Sequence, residues 1–374
     1  MKKINFITIG LLMLFVSCSN DLLVENDSLQ LTAKSSTYMD VEAIYFDNGV
    51  HIEHGCAYNM LVFDDFAHYM TVLEYLEDAV EAHEDDFVEQ NIYLDEDELN
   101  DYEHELEDMN QFHYLQPLID FEDILKFCSL RNKIEIAEIA WLATQTDSTA
   151  MDFTNDPDNF YNFAGIGDEE RTLLNEQAEV IVGEYLYKFY DGGFIYIPVN
   201  DPDITDILIG LNSGELEPDG SFSEQYPQAV VVPDPPQNSG GAGCDTHHNK
   251  TKYTVVVNNQ IKMKAKVKTG PFNHTAISIT RGYKWKNGQW KNRRLNIAAG
   301  FRGHIGSPYY APCAVMDNFE PNTSTKKRRK RKYANRVPRA AAPNSYSFKT
   351  TGTQERLYSW HRVNGNDHQE LIPY

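Results

Sequence analysis

Ile261-Lys262-Met263-Lys264-Ala265-Lys266-Val267-Lys268 alternates apolar and basic side chains without a break. A period of two belongs to an extended strand with one face in a core. It predicts a buried row of Ile261, Met263, Ala265 and Val267 and, on the other face, an exposed comb of lysines, the side chain that blunts a sheet edge. Downstream, Lys286-Asn287-Gly288-Gln289 matches a type I′ hairpin turn and sets Trp285 opposite Trp290, a cross-strand pair worth about 0.5–1 kcal/mol. The same register puts Ile277 and Ile279 on the opposite face from Leu295 and Ile297. Both pairs belong in a core, so a bulge is expected between Trp290 and Arg294. Tyr346–Thr350, Arg356–Val363 and His368–Ile372 are further strands, the last two joined at Asn364-Gly365. Residues 244–374 thus read as an antiparallel sandwich or barrel.

Working upstream, Gln228–Gly243 turns to Pro, Gly, Asn and Ser and reads as a linker. Before it the period changes to 3.6. Asp64 or Asp65 caps a helix carrying Phe66, Tyr69, Met70, Leu73 and Leu76, and Asp95–Glu98 opens a second whose stripe is Leu99, Tyr102, Leu106 and Met109. Helices are also expected near 117–130, 133–144 and 203–211. Strands are expected at Glu42–Phe46 and Asn59–Phe63, and Ala178–Phe189 with Phe194–Val199 reads as a hairpin around Asp191-Gly192-Gly193. Residues 38–227 are therefore a mostly helical α+β domain with a small antiparallel sheet, followed by the linker 228–243 and an all-β domain, 244–374.

The charge divides along the same line. Residues 1–249 hold 51 Asp/Glu and 8 Lys/Arg, whereas residues 250–374 hold 5 and 25. No lysine or arginine occurs between Glu53 and Gln116. Two readings follow: the modules dock through complementary surfaces, or each is separately solvated. Docking requires close range, since screening sets in beyond about 8 Å at physiological salt. The acidic runs Glu84–Asp86, Asp95–Glu98 and Asp201–Asp203 lack the glycine and terminal glutamate of an EF-hand loop and read as solvated helix faces.

At the other end, Lys2 and Lys3 precede an apolar run, Ile4–Val16, too short to span a bilayer, and Ser17 is a small residue before Cys18. Residues 1–17 therefore read as a signal peptide and 18–37 as a tether. Leu14-Phe15-Val16-Ser17-Cys18 resembles the lipobox of bacterial lipoproteins, with Phe15 at the usual leucine position. The resemblance implies lipidation of Cys18 and, through several acyl chains, stable anchoring in the envelope, most naturally the outer membrane. The leader and the Cys18-Ser19-Asn20-Asp21 start resemble Bacteroidota lipoproteins of uncharacterised families, as do Leu173-Leu174-Asn175 and Val180-Ile181-Val182-Gly183. That resemblance brings no activity with it. The remaining cysteines are Cys56, Cys128, Cys244 and Cys313. They are either four buried thiols or two bridges, and the linker favours Cys56–Cys128 with Cys244–Cys313 among the three pairings.

Candidate chemistry is sparse. Cys244, Asp245, His247 and His248 are metal-ligand types in one cluster, without a recognised metal spacing. His51-Ile52-Glu53-His54, with Cys56 close by, is not a His-Glu-x-x-His helix motif. No nucleophile elbow, phosphate loop or dinucleotide fingerprint is present, and no cofactor is expected. The run Lys326-Lys327-Arg328-Arg329-Lys330-Arg331-Lys332 is the strongest remaining feature. In an exported protein, where nucleic acid is not an expected partner, it points to an anionic glycan, lipid phosphate, the chain's own acidic half or protease recognition; a solvated loop is the plain alternative. The sequence thus reads as a lipid-anchored envelope protein that binds or scaffolds, the alternative being a surface hydrolase acting on glycan or peptide.

Overall fold

The computed structural model describes residues 37–45, 58–164, 167–233, 248–256, 259–269, 271–302, 304–307, 314–318, 327–338, 358–363 and 366–371. The leader with Cys18, the His51–Cys56 segment, Cys244–His247, Cys313 and Lys326 lie outside them.

Seven strands form one sheet in chain order: β1 (Thr37–Tyr38), β2 (Val41–Tyr45), β3 (Asn59–Phe63), β4 (Glu179–Val182), β5 (Tyr185–Tyr190), β6 (Gly193–Pro198) and β7 (Val230–Pro233). Every pair is antiparallel except β3–β4. That pair is parallel because a long helical excursion separates its strands, as a parallel connection requires. The excursion comprises α1 (Phe66–Gln90), α2 (Glu96–Asp108), α3 (Gln116–Leu125), α4 (Leu130–Thr144), α5 (Pro157–Phe160) and α6 (Asp168–Thr172); α7 (Ile204–Ser213) and α8 (Gly220–Gln225) lie between β6 and β7. Asp65 caps α1 through the His68 amide, and Asp95 and Glu98 close a capping box on α2.

Both faces of this sheet are covered. Leu61, Phe63, Val180 and Val182 pack with Tyr69, Leu73 and Leu76 of α1 and Leu118 and Phe121 of α3. Met60, Ile181, Leu186 and Ile197 pack with Ile204, Ile207 and Leu208 of α7. Burial on two faces explains why these strands read as unbroken apolar runs. It also accounts for two differences from the sequence reading. Residues 178–189 are two strands, turned at Gly183 with φ +61°, and the proline-rich stretch after Gln228 begins as β7, the last of the described strands in this sheet, where Pro233 loses no ladder bond to a further described neighbour.

The second half is antiparallel β structure: β8 (His248–Val256), β9 (Asn259–Thr269), β10 (Asn273–Lys286), β11 (Gln289–Asn292), β12 (Leu295–Arg302), β13 (His304–Ser307), β14 (Ala314–Asn318), β15 (Lys327–Arg328), β16 (Lys330–Pro338), β17 (Tyr358–Val363) and β18 (Asn366–Leu371). One sheet runs β8-β9-β10, with β11 and β16 sharing the far edge of β10; a second runs β15-β12-β17-β18, and β13–β14 is a separate pair. Arg329 is the joint at which one strand leaves β12 and continues along β10. Ile261 and Met263 of the first sheet pack against Leu295, Ile297 and Val363 of the second. A Cβ on Gly282 would lie 2.7 Å from the Leu295 side chain, so glycine permits this close approach. The class is α+β, helices first and antiparallel sheets after.

The turn at Asn287-Gly288 has φ of 53° and 81°, as a type I′ turn requires, and the Trp285 and Trp290 rings meet edge to face at 5.7 Å. In place of a bulge, the strand stops at Asn292 and resumes at Leu295 in the other sheet. Ile277 and Ile279 remain on the face opposite Leu295 and are nonetheless buried. That face is not solvated, because the helices of the first half lie on it.

Candidate functional site

The register of the basic sheet gathers its cations. Arg281 on β10 stands opposite Lys262 on β9 and Lys330 on β16; two residues back, Ile279 stands between Lys264 and Lys332. Side chains opposite one another share a face, so like charges accumulate there, an arrangement that destabilises an isolated sheet. The helices of the first half supply the opposing charge. Lys262 is 1% exposed and binds Asp156 and Asp158, with Glu138 at 3.8 Å. Lys264 meets Asp158 at 2.9 Å, and Arg171 binds the same carboxylate. Arg281 reaches Glu138 at 3.0 Å and Asp168 at 3.3 Å. Lys330 binds Asp168 and Glu169, and Lys332 binds Glu77 and Glu169.

The expectation of an exposed lysine comb is therefore corrected for Lys262 and Lys264, and that of an exposed basic run for Arg328, Arg329, Lys330 and Lys332. The side chains of Lys266, Lys268, Lys327 and Arg331 lie outside the description. The acidic runs change meaning as well. Glu84 is buried and Asp85 largely so, both facing Arg328, while Glu96 and Asp97 meet Arg293 at the edge of the same interface. Helix α1 thus turns an apolar face to its own sheet and an acidic one, Glu77, Glu81, Glu84 and Asp85, to the basic sheet.

Arg294 is fully buried. Its Nε and Nη2 donate to the two oxygens of Glu103 at 2.8 and 2.7 Å, its Nη1 donates to Glu84 at 3.1 Å, and its guanidinium lies 5.2 Å from the Phe87 ring centre. Asn100 holds the main chain of Arg294 from both sides, accepting from its N–H at 2.7 Å and donating to its carbonyl at 3.2 Å. Burial alone would raise the Glu103 carboxyl; Arg329 and Arg294 outweigh it and bring the group below its ordinary range. At Glu84 burial prevails and the carboxyl is raised despite the same kind of neighbours. At Glu169 burial is again opposed, by Lys330 and Lys332, and the group falls to about 2. Lys264 is pulled down to about 7 by burial, against the attraction of Asp158 and with the help of Arg171 and Lys262.

Glu138, Asp156 and Asp158 place carboxylate oxygens within 4.8 Å of one another, a spacing that suits a cation. The ammonium of Lys262 already bonds two of the three, so the protein's own lysine supplies the charge that a metal ion would bring. Of the sequence-derived metal candidates, Cys244, Asp245 and His247 lie outside the described residues, and only the main chain of His248, in β8, lies within them. Cys128 is disulfide-bonded, which removes it from the free-thiol reading; Cys56, Cys244 and Cys313 lie outside the described residues. His361 is fully buried with Nδ1 2.8 Å from the Thr280 hydroxyl, a core contact between the two sheets. Tyr283 and Trp290 are core residues against Trp141 and Met151.

Beside this charge layer a groove of about 420 Å³ opens between the C-terminal turn of α2, α4 and β11. One side is apolar, with Ile139, Leu142 and Ala143, and Ile139 is 64% exposed. The other is polar. His113 donates through Nε2 to Glu135 at 3.0 Å and accepts the Leu115 amide on Nδ1 at 3.2 Å. Glu135 also receives Arg131, which donates to Glu122 at 2.8 Å. Burial would raise Glu135, and His113 and Arg131 bring it down. Arg329 grips Glu107 and lies 5.1 Å from the ring centre of Tyr114, whose hydroxyl is pushed well above its ordinary range by burial. His104 donates from Nε2 to the Asn292 carbonyl at 2.7 Å. Burial and the nearby Arg329 lower its affinity for a proton, so the ring is neutral and its Nδ1 is an acceptor. No sequence motif marked this groove, since its residues come from segments as distant as His104, Glu135 and Trp290. The available signal was the charge division, which pointed to the interface but not to the opening beside it.

No protein-family model and no curated protein sequence matches this chain. Among solved structures, the chain is similar to a DUF4848 family protein from Bacteroides thetaiotaomicron, 11% identical over 86% of this chain and 95% of that one, with a TM-score of 0.20. At that score neither fold nor function is carried across. None of the described helices is long and apolar enough to cross a membrane.

Proposed function

We propose that this is a lipid-anchored cell-envelope protein that binds its ligand in the groove between α2, α4 and β11. The observation that carries the reading is the groove itself: an apolar wall open to solvent facing a set of fixed polar groups, the usual anatomy of a binding site. Binding is favoured over hydrolysis because the carboxylates Glu107, Glu135 and Glu138 and the His113 ring are held by other groups of the protein. Both ring nitrogens of His113 are engaged, and Glu135, Glu138 and Glu107 each accept a cation of the protein. A catalytic pair needs one member free to meet substrate. The polyanion reading of the basic run loses its main support, since Arg328, Arg329, Lys330 and Lys332 are committed to carboxylates of the helices.

The test is thermal unfolding of the mature chain in the presence of size-fractionated envelope glycans and envelope peptides. A ligand for the native state raises Tm in proportion to ln(1 + [L]/Kd). At least one fraction should raise Tm for the wild type and not for Ala143→Arg, which places a long side chain in the mouth of the groove. Equal shifts in both proteins, or no shift with any fraction, would overturn the proposal.

A further inference from the structure

We infer that the groove receives an extended, uncharged polypeptide segment, added as a strand along the edge of β11 that no described strand pairs. This rests on the groove being a binding site and names what it binds. Side chains of a strand alternate between faces, so a cavity on one face touches every second residue. Here Gln289, Trp290, Lys291 and Asn292 all line the groove, which therefore abuts the strand's edge.

The hairpin register states what that edge presents. A two-residue type I′ turn closes on a hydrogen-bonded pair, Lys286 with Gln289, so Trp285–Trp290 and Tyr283–Asn292 are the pairs that exchange no ladder bonds. The main-chain N–H and C=O of Trp290 and Asn292 consequently point away from β10. The Asn292 carbonyl confirms the direction, because it accepts from His104 on α2. Among the described residues nothing meets the main-chain N–H or C=O of Trp290 or the N–H of Asn292. Beside them, His104 Nδ1 and Asn292 Oδ1 are buried acceptors without a partner.

A row of main-chain donors and acceptors at strand spacing is complementary to another strand, the basis of β-augmentation. The neighbouring side chains select the occupant. Ile139 and Ala143 on α4 offer apolar contact to alternate residues of the incoming segment. Glu107, Glu135, Glu138 and Arg329 are already paired, and Lys291 and Asp108 on the rim face one another at 3.8 Å, so a charged segment would gain little counter-charge while losing its own hydration.

The test is selection from a phage-displayed library of random linear nonapeptides on the full mature chain, with Ala143→Arg in parallel. Sequences with apolar residues at alternate positions should be enriched at least tenfold on the wild type over the variant. The leading peptide, synthesised, should shift the amide resonances of Trp290 and Asn292. N-methylation of one alternate set of its residues should weaken binding at least tenfold, and of the other set should leave it unchanged. Altering the peptide keeps protein folding out of the comparison. Absence of enrichment over Ala143→Arg, or indifference to both methylation patterns, overturns strand addition. If a glycan fraction stabilises the wild type but not Ala143→Arg while no peptide is enriched, the groove binds and this inference alone fails.

Discussion

Replacing Arg294 by methionine removes the centre of the charge layer while preserving most of the side chain's volume. The guanidinium is fully buried and makes charge-assisted hydrogen bonds of 2.7, 2.8 and 3.1 Å to Glu103 and Glu84. Breaking a buried ion pair from one side costs about 3–5 kcal/mol, because the surviving carboxylate stays out of water without its partner. Two features place this case near the lower end. Glu103 keeps Arg329 at 3.1 Å, and Glu84, already raised by burial, can take up a proton. We expect a loss of about 3 kcal/mol for Arg294→Met. With a urea slope near the top of the range, about 3 kcal/mol per M, the unfolding midpoint falls by about 1 M. Adding Glu103→Leu should recover part of the loss, since removing both partners of a buried pair is far less costly than removing one. The assay is urea unfolding followed by tryptophan fluorescence, run as a double-mutant cycle. A midpoint for Arg294→Met within about 0.3 M of wild type on that slope, or a double mutant falling by the sum of the single losses, would refute the view that this pair organises the interface.

The carboxylates of the layer predict an acid transition. Glu169 lies at about 2 when folded and Glu103 and Asp168 are also depressed, so their stabilisation is complete above the unfolded value near 4.3 and disappears as pH falls from there toward about 2. The urea midpoint should drop as pH falls below about 5, and Glu169→Gln should make that drop shallower. Lys264 has the opposite sign: its folded value of about 7 is below the unfolded one near 10.4, so it opposes folding fully below pH 7 and ceases to do so as pH rises to 10.4. Lys264→Met should raise the midpoint at pH 6 more than at pH 10; a pH-independent effect would argue that the lysine stays charged. Trypsin should spare the bonds after Arg328, Arg329, Lys330 and Lys332 in the native protein, and early cleavage there, read by mass spectrometry, would show the layer opening. Cys18→Ala should release the protein from membranes, and a variant still sedimenting with them after a high-salt wash would exclude the lipid as the anchor.

Several elements were determined by local sequence alone. The cap at Asp64 or Asp65, the start of α2 in the Asp95–Glu98 run, the stripe of α1, the β3 boundaries and the Asn287-Gly288 turn depend on neighbouring residues and on a period, and the structure has them where the sequence places them, with Asp65 as the first cap. The alternation of Ile261–Lys268 likewise determined that a strand forms. It could not determine what covers the lysines. A period of two separates two faces and is silent on whether the polar one meets water or a layer of opposite charge. The excess of carboxylates before residue 249 and of cations after it left docking and separate solvation equally open. Only the tertiary structure resolves that choice, because an ion pair exists at a distance of about 3 Å between residues more than a hundred positions apart, such as Arg294 and Glu103 or Lys264 and Asp158. The groove belongs to the same category. Its walls come from segments far apart in the chain, and the edge of β11 that no described strand pairs has meaning only once α2 and α4 stand beside it.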